Sequence, residues 1–302
     1  MQAVVIGNIA IDETFRVHHL PQAGETLLAD GVSTDLGGKG ANQAVVLARC
    51  GVATRLVARI GRDAASARLR SLLAAEPLDI SRLIETGTPA DRSILLLSAA
   101  GENAIVSAIV RASPFTRADL LAAMEGCGAG DLLVMQGNLT EPVTAEALAM
   151  GRTRGLRAVF NPAPTSPGFA ALSTLVDLAV LNAIEARQMT SLDDPVEAAQ
   201  AIRNAGAARV AVTLGAEGAL LCDARGITRV GATPVPVRDT TGAGDTFTAV
   251  LAAALLVRGL PPPVAMEAAS QAAALTVSRT GTLAAFPTAA ELAAILGRAE
   301  RS

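Results

Sequence analysis

The chain has 302 residues, of which 51% are hydrophobic and 18% charged, enough for a substantial core in one large α/β domain with an insertion. Its formal net charge of −3, with no Trp or Tyr and six Phe, argues against electrostatic nucleic-acid binding and against base stacking on several aromatic rings. The longest apolar run, 249–257, is too short to span a bilayer. We therefore expect neither a nucleic-acid nor a membrane partner.

Residues 3–6 already read as a strand, without a basic leader or cleavage site before them, so a cytoplasmic location is expected. Cys50, Cys127 and Cys222 are widely spaced and form no Cys-x-x-Cys pair. We expect them to be reduced packing residues rather than parts of a disulfide or a metal site.

Short apolar runs alternate with helical patterns along most of the chain. The predicted strands are 3–7, 54–60, 131–136, 156–160, 177–181 and 208–213, and the predicted helices are 40–50, 62–75, 141–154, 195–205, 243–258, 262–279 and 288–299. This alternation indicates an α/β fold of residues 1–302 as a single domain, with a doubly wound, mostly parallel sheet flanked by helices. Asp12, Asn161 and Asn182 each follow an apolar run, so we expect them to face one crevice beyond the strand ends.

Two stretches interrupt the alternation, at about 13–36 and 91–111. The first contains the turn residues Pro21, Gly24 and Gly31. The second has the pattern of a β-hairpin, with strands at 93–98 and 104–110 joined through a turn at 101–103. A hairpin of this kind can also be a surface feature without a function.

The segment 239–247, Asp-Thr-Thr-Gly-Ala-Gly-Asp-Thr-Phe, places a carboxylate directly after a turn of small residues that opens an apolar helix. We call Gly242, Ala243 and Gly244 the anion turn, because unpaired N–H groups and the helix dipole favour a phosphate there. Asp245 could accept a proton from a hydroxyl directed at that phosphate. The pattern predicts phosphoryl transfer, although an ordinary glycine-rich helix start would have the same sequence.

A second glycine turn at 37–40, which we call the first glycine turn, is followed by Ala41, Asn42 and Gln43 and an apolar helix. The side chain of Asn42 can both donate and accept hydrogen bonds, as sugar hydroxyls require, or it can bond its own turn. Lys39 could contact a substrate or be solvated. The combination of two such turns about two hundred residues apart favours a binding site over two unrelated loops.

Together with four further segments, these turns resemble the ribokinase-like (PfkB) family of carbohydrate kinases. The resemblance is carried, in order, by 7–12 (Gly-Asn-Ile-Ala-Ile-Asp), 37–43, 161–164 (Asn-Pro-Ala-Pro), 182–185 (Asn-Ala-Ile-Glu), 213–218 (Thr-Leu-Gly-Ala-Glu-Gly) and 239–247. Each motif alone is weakly specific, but six in the correct order cover nearly the whole chain.

The resemblance implies an ATP-dependent sugar kinase with Asp245 as general base and the anion turn around the transferring group. The implied sugar ligands are Asp12, Gly38, Lys39, Asn42 and Asn138. The implied nucleotide contacts are Asn182, Thr213, Gly215, Gly218 and Ser270, with Glu185 associated with Mg²⁺ through water. A monovalent cation such as K⁺ is implied beside the anion turn, held mainly by backbone carbonyls of Asp239, Thr241, Thr276, Arg279, Gly281 and Ala285.

The resemblance also makes 13–36 and 91–111 a small β lid, whose closure would exclude water from the reaction. Exposed strand edges and apolar positions such as Leu95 and Ile105 would allow a homodimer through this lid. Two positions depart from the ribokinase pattern: Ala10 replaces an Asn, and Asn138 replaces a Glu. Because sites that read hydroxyls discriminate steeply, the acceptor stays open between a pentose, fructose, a keto- or deoxy-sugar and a nucleoside.

Other phosphate-binding classes lack their signatures here. The sequence has no Walker motif, no Gly-x-Gly-x-x-Gly after the first strand and no set of protein-kinase motifs. The alternative from a different class is a non-catalytic regulator that binds a sugar or nucleotide. Asp245 argues against it, because a regulator would have little reason to combine this carboxylate with the anion turn and Asn-x-x-Glu.

Overall fold

The computed structural model describes residues 1–100, 103–108 and 115–301. Residues 101–102 of the predicted turn and residues 109–110 of the predicted strand 104–110 lie outside these residues. The strands are β1 (Gln2–Gly7), β2 (Ala10–Val17), β3 (Gly31–Gly37), β4 (Ala53–Ile60), β5 (Ile84–Glu85), β6 (Asp91–Ser98), β7 (Asn103–Ala108), β8 (Leu132–Gln136), β9 (Arg157–Asn161), β10 (Leu178–Asn182), β11 (Val210–Thr213), β12 (Ala219–Asp223) and β13 (Gly226–Val230). The helices are α1 (Lys39–Arg49), α2 (Ala64–Ala74), α3 (Arg117–Ala123), α4 (Glu141–Thr153), α5 (Ala183–Thr190), α6 (Pro195–Asn204), α7 (Ala243–Ala252), α8 (Pro262–Val277) and α9 (Ala289–Ala299).

Within the described ranges, nine strands form the main sheet in the order β13-β12-β11-β10-β9-β8-β1-β4-β5. The pairs from β11 through β1 to β5 are parallel, whereas β11–β12 and β12–β13 are antiparallel. The predicted α/β class and mostly parallel sheet are therefore confirmed. Parallel strands need crossover connections, and here helices on both faces supply them.

Side chains alternate between two apolar layers along each central strand. In β1, Val5 belongs to a cluster with α1, α7, α8 and α9, while Val4 and Ile6 belong to a cluster with α3, α4, α5 and α6. Both faces of the strand are buried, which explains its continuous apolar sequence. The sheet is thus fixed from two sides, and its strand ends are held in place.

The direction in which strands are added reverses at β1. From β1 the chain adds β4 on one side, and later β8 to β11 on the other. In open α/β sheets ligands bind beyond the carboxyl ends of the strands at such a switch point. Gly7 ends β1 there, and a Cβ on it would lie 2.2 Å from Oε1 of Gln136 and 2.8 Å from Cα of Gly40. The absence of a side chain lets the start of α1 approach the end of β1.

A separate four-stranded sheet, which we call the small sheet, has the order β3-β2-β6-β7 within the described ranges. Its strands come from both stretches that interrupt the main alternation. Asp12 lies within β2 of this sheet, whereas Asn161 and Asn182 end the main-sheet strands β9 and β10. Leu95 is also not available to a second copy, because it is 4% exposed on the Asp12 side of the sheet. The side chain of Ile105 is outside the described structure.

Most predicted elements agree with the structure within a few residues, but four differences stand out. The hairpin β12–β13 was not predicted, because no α-helix separates β11, β12 and β13, and the prediction relied on strands that alternate with helices. The short helices α3 and α5 were missed as well. The predicted helix 243–258 is α-helical only as far as Ala252, and a π-helical turn follows over Ala253–Val257. None of the helices in the described ranges combines the length and apolarity needed to cross a bilayer.

Candidate active site

The first glycine turn is attached to the end of β1. The N–H of Ala41 donates to the carbonyl of Asn8 at 3.0 Å, and the N–H of Gly40 donates to its Oδ1 at 3.3 Å. A Cβ on Gly37 would lie 2.0 Å from Oδ1 of Asp12, so only glycine lets this carboxylate rest on the backbone. The turn thus joins β1, the small sheet and the start of α1.

The anion turn opens α7, as predicted. Gly242 has a φ of 76°, in the left-handed region, and a Cβ on it would lie 2.5 Å from Cε1 of Phe286. A Cβ on Gly244 would meet no atom within 4 Å. Because the first N–H groups of a helix have no partner inside it, the open space beside Gly244 gives an anion access to them.

Asp245 is 4% exposed and receives hydrogen bonds from α1. Nδ2 of Asn42 donates to Oδ2, and Nε2 of Gln43 donates to Oδ1, each at 2.9 Å. Nζ of Lys39 lies 4.0 Å from Oδ1. The structure therefore brings two predicted site residues of α1, Lys39 and Asn42, to Asp245, which lies about two hundred positions later in the chain.

The hydrogen bonds continue from Asp245 to the strand ends. Gln43 donates to Oδ1 of Asn161 at 3.2 Å and accepts from Nε2 of Gln136 at 2.9 Å. Asn161 in turn donates to the carbonyl of Val180 at 2.8 Å. Gln43 was not predicted as a site residue, although its place next to Asn42 was a signal. We call Asn42, Gln43, Gln136 and Asn161 the amide network.

Three side-chain oxygens near the crevice are buried without a hydrogen-bond partner in the described part of the chain. They are Oδ1 of Asn42, Oε1 of Gln136 and Oδ1 of Asn138, and that of Gln136 lies against Gly7. Buried acceptors are normally satisfied, so such atoms need an explanation. Hydroxyl groups of a bound molecule would supply the missing donors.

Asp12 has an unusual environment. Burial raises the pKa of its carboxyl to about 6, the hydrogen bond to Ser93 opposes this shift, and the negative charges of Asp245 and Asp35 add to it, while Lys39 opposes it. The influence of Asp245 indicates that Asp12 faces the same crevice. A carboxylate held in this way has lost much of its water and can accept hydroxyl groups in its place.

Asn182 and Glu185 form the capping box of α5. The N–H of Glu185 donates to Oδ1 of Asn182 at 2.8 Å, and the N–H of Asn182 donates to Oε2 of Glu185 at 2.9 Å. Burial raises the pKa of Glu185, and the charges of Lys39 and Asp245 also act on it. The motif therefore has a structural role, and one carboxylate of this kind also fits Mg²⁺ bound mostly through water and phosphate. The described residues contain no cluster of three metal-ligating side chains.

A cavity of about 500 Å³ adjoins the anion turn. Thr213, Gly215, Gly218 and Ser270, all predicted nucleotide contacts, line it, whereas Asn182 does not. A Cβ on Gly218 would lie 2.0 Å from the carbonyl oxygen of Val230, so this glycine is also required by the fold. The other lining residues, largely apolar and mostly unpredicted, include Thr233, Val235, Val237, Ala273 and Val277.

Asp239 connects the segment before the anion turn with the loop after α8. Its Oδ1 accepts from the N–H of Thr241 at 2.9 Å, and its Oδ2 accepts from the N–H of Gly281 at 3.2 Å. The side chain of Arg279 pairs with Glu291 instead of facing this loop. Only the backbone carbonyl of Arg279 is therefore available as a ligand for a cation. A carboxylate with backbone carbonyls is a set of oxygen donors that suits K⁺.

Two predicted cation residues are buried, Thr276 near the end of α8 and Ala285 in the loop after it. Thr276 shares a hydrogen bond of 2.9 Å with the hydroxyl of Thr246, one residue after Asp245. The N–H of Ala285 donates to the carbonyl of Thr282 at 3.1 Å. We call 279–285 the cation loop. Thr276 therefore also fixes the register of α7 against α8.

Comparison with known proteins decides the family. The model of the pfkB family carbohydrate kinases matches residues 2–289. The chain belongs to this family. It is 29% identical to the ribokinase of Haemophilus influenzae, over 95% of each chain, and 30% identical to that of Mus musculus, over 94% of this chain and 91% of the relative.

Solved structures agree with this assignment. The chain matches the ribokinase of Thermotoga maritima with a TM-score of 0.84 and 26% identity, over 98% of this chain and 99% of that one. It matches Arabidopsis thaliana ribokinase complexed with ribose and ATP with a TM-score of 0.83 and 26% identity, over 98% of both chains. The recognition of the family from six sequence motifs is confirmed.

The first prediction concerns the pH dependence of sugar binding. Asp12 is protonated below about pH 6 in the free protein, and its raised pKa means that its ionisation reduces folding stability as the pH rises from 3.8 through about 6. If sugar hydroxyls donate to the ionised group, sugar affinity is full well above pH 6 and falls as the pH drops through that value. Calorimetric titrations of the wild type between about pH 5 and pH 8 measure this.

Asp12→Asn is the matched control, because it keeps the shape and removes the titration. Its sugar affinity should be weaker and nearly independent of pH in this range. Equal pH profiles of the two proteins would exclude Asp12 as the titrating sugar ligand.

Proposed function

We propose that the protein is an ATP-dependent kinase that phosphorylates a hydroxyl of a pentose or a related sugar. The position of Asp245 carries this proposal. Its buried carboxylate lies at the anion turn, between the first glycine turn and the 500 Å³ cavity. A base is thus located between a candidate sugar site and a candidate nucleotide site, the arrangement that phosphoryl transfer needs.

The chemistry follows from this placement. Asp245 accepts the proton of the sugar hydroxyl as that oxygen attacks the γ-phosphorus of ATP, and ADP is the leaving group. The N–H groups of the anion turn stabilise the charge on the transferring phosphoryl group. Mg²⁺ near Asn182 and Glu185 would neutralise phosphate charge, with water between the ion and the protein. The small sheet acts as a lid that keeps water from competing as acceptor.

The sugar side supports a polyhydroxylated acceptor. Asp12 and the unpartnered oxygens of Asn42 and Asn138 are acceptors for hydroxyl groups. Ala10 and Asn138 leave fructose, a keto- or deoxy-sugar and a nucleoside as alternative acceptors. A coupled assay of ADP release with D-ribose, 2-deoxyribose, fructose, a keto-sugar and nucleosides tests the proposal. Saturable ADP release with one of them supports it, and no ADP release with any of them favours a non-catalytic regulator.

The second prediction concerns the base. Asp245→Asn keeps the size of the side chain but removes proton acceptance, so turnover falls by about 10²–10⁴-fold while sugar and ATP still bind. Steady-state kinetics and calorimetry measure the two effects. Asp194→Asn is the control: Asp194 caps α6 with its side chain, and Asn caps a helix equally well. Turnover near the wild-type value in Asp245→Asn would remove this residue from the mechanism.

The third prediction concerns a monovalent cation. We propose that K⁺ binds between Asp239 and the carbonyls of the cation loop and thereby orients the N–H groups of the anion turn. Errors in position near 1 Å can lower a rate by about 10²-fold. Activity in potassium should exceed activity in tetramethylammonium at equal ionic strength, mainly through kcat. Identical rates, with potassium rigorously excluded from one sample, would contradict the cation site.

The fourth prediction concerns a homodimer. The face of the small sheet opposite Asp12 exposes Ile94 (41%), Val106 (69%) and Val32 (56%), and Ile94 and Val106 are directly opposite each other in the ladder. We propose that this face packs against a second copy, because exposed apolar patches mark interaction surfaces. Light scattering should give the mass of a dimer, and the variant Ile94→Glu with Val106→Glu should give that of a monomer. A monomeric wild type at assay concentration would contradict this interface.

A further inference from the structure

One carboxylate near the site has no role in the proposed chemistry. Asp35 lies on β3, two residues before Gly37, directly opposite Asp12 in the β2–β3 ladder. Like charges placed opposite each other destabilise a strand pair, and Asp35 contributes to the raised pKa of Asp12. A chain that keeps this charge needs a compensating interaction.

The compensating interaction comes from the cation loop. Oδ2 of Asp35 accepts the N–H of Thr282 at 2.7 Å and the N–H of Leu283 at 3.1 Å. Its Oδ1 accepts the N–H of the neighbouring Leu36 at 2.7 Å. Thr282 is 3% exposed, so much of this contact is shielded from water. Hydrogen bonds to an ionised acceptor are among the strongest in proteins.

The same loop is held from the opposite side by Asp239. The N–H of Gly281 donates to Oδ2 of Asp239 at 3.2 Å, and a Cβ on Gly281 would lie 3.1 Å from Oδ2 of Asp35. Gly281 has a φ of 92°, in the region that favours glycine. One glycine thus passes between a carboxylate of the small sheet and a carboxylate that precedes the anion turn.

We propose that Asp35 is a positioning residue that fixes the first glycine turn relative to the cation loop and, through Asp239, to the anion turn. Sugar binding at Asp12 and Lys39 then orders the N–H groups that receive the phosphate, because both sides share one hydrogen-bonded connection. The coupling rests on the proposed kinase function. Contacts with the sugar therefore affect kcat as well as KM.

Asp35→Ala, Asp35→Asn and Asp30→Ala test this inference in the full-length protein. Asn at 35 keeps one acceptor oxygen for the loop while removing the charge. Asp30 is an exposed carboxylate in the loop before β3 and serves as the control. The sugar is the one with the highest turnover among those assayed above, and thermal melts establish that each variant is folded.

In the wild type, sugar without nucleotide should slow hydrogen exchange in three segments: 31–37, 280–283 and 241–245. In Asp35→Ala the sugar should still protect 31–37 but no longer the other two, and kcat should fall about 10- to 100-fold. Asp35→Asn should recover most of both effects, and Asp30→Ala should match the wild type. A purely structural role would not move the sugar-dependent protection.

Two results would overturn the inference. One is wild-type kcat and wild-type protection of 241–245 in a folded Asp35→Ala. The other is an equal loss in Asp35→Asn and Asp35→Ala, because Asn keeps the acceptor oxygen on which the proposed connection rests. Failure of the kinase proposal itself gives a different result, because the wild type would then turn over none of the acceptors.

Discussion

The buried carboxylate of Asp245 is the constraint on which the rest of the site depends. A carboxylate that is 4% exposed has lost its hydration, and this cost must be offset by hydrogen-bond donors. Here the donors are the neutral amides of Asn42 and Gln43, which satisfy the oxygens without cancelling the charge. The start of α1 must therefore lie beside the start of α7. The shared apolar cluster of these two helices holds them there, since close-packed interiors resist small shifts.

The sequence predicts the fold where short apolar runs alternate with helical patterns. Strands buried on both faces, such as β1 and β8, stand out as short apolar runs between helical patterns. The hairpin β12–β13 escapes this criterion, because no helical pattern separates β12 from β11 and a nucleotide-side motif precedes it. The π-helical turn after α7 escapes it too, since an unbroken run of Ala, Leu and Val is compatible with either helix geometry.

The site was predictable where one motif carries one function, and less so where residues act through their neighbours. The anion turn, Asn42 and Asp245 come from local sequence and are found together. Gln43 acts only through contacts with three distant elements, which no spacing reveals. Asn182 and Glu185 also cap α5, and the Asn-x-x-Glu sequence that predicts a magnesium motif equally specifies this capping box. Asp35 lies outside every motif, and only the folded chain brings it to Thr282.

The anion turn contains two glycines with different reasons for lacking a side chain. At Gly242 the reason is internal, because the left-handed backbone and the ring of Phe286 exclude a Cβ. At Gly244 the protein's own atoms leave the space free, and alanine would be the better helix-forming residue. Gly244 thus lowers the stability of the ligand-free protein and leaves open a space that a bound ligand can fill. Gly242 should therefore contribute to thermal stability without ligand, whereas Gly244 should contribute only to ligand affinity.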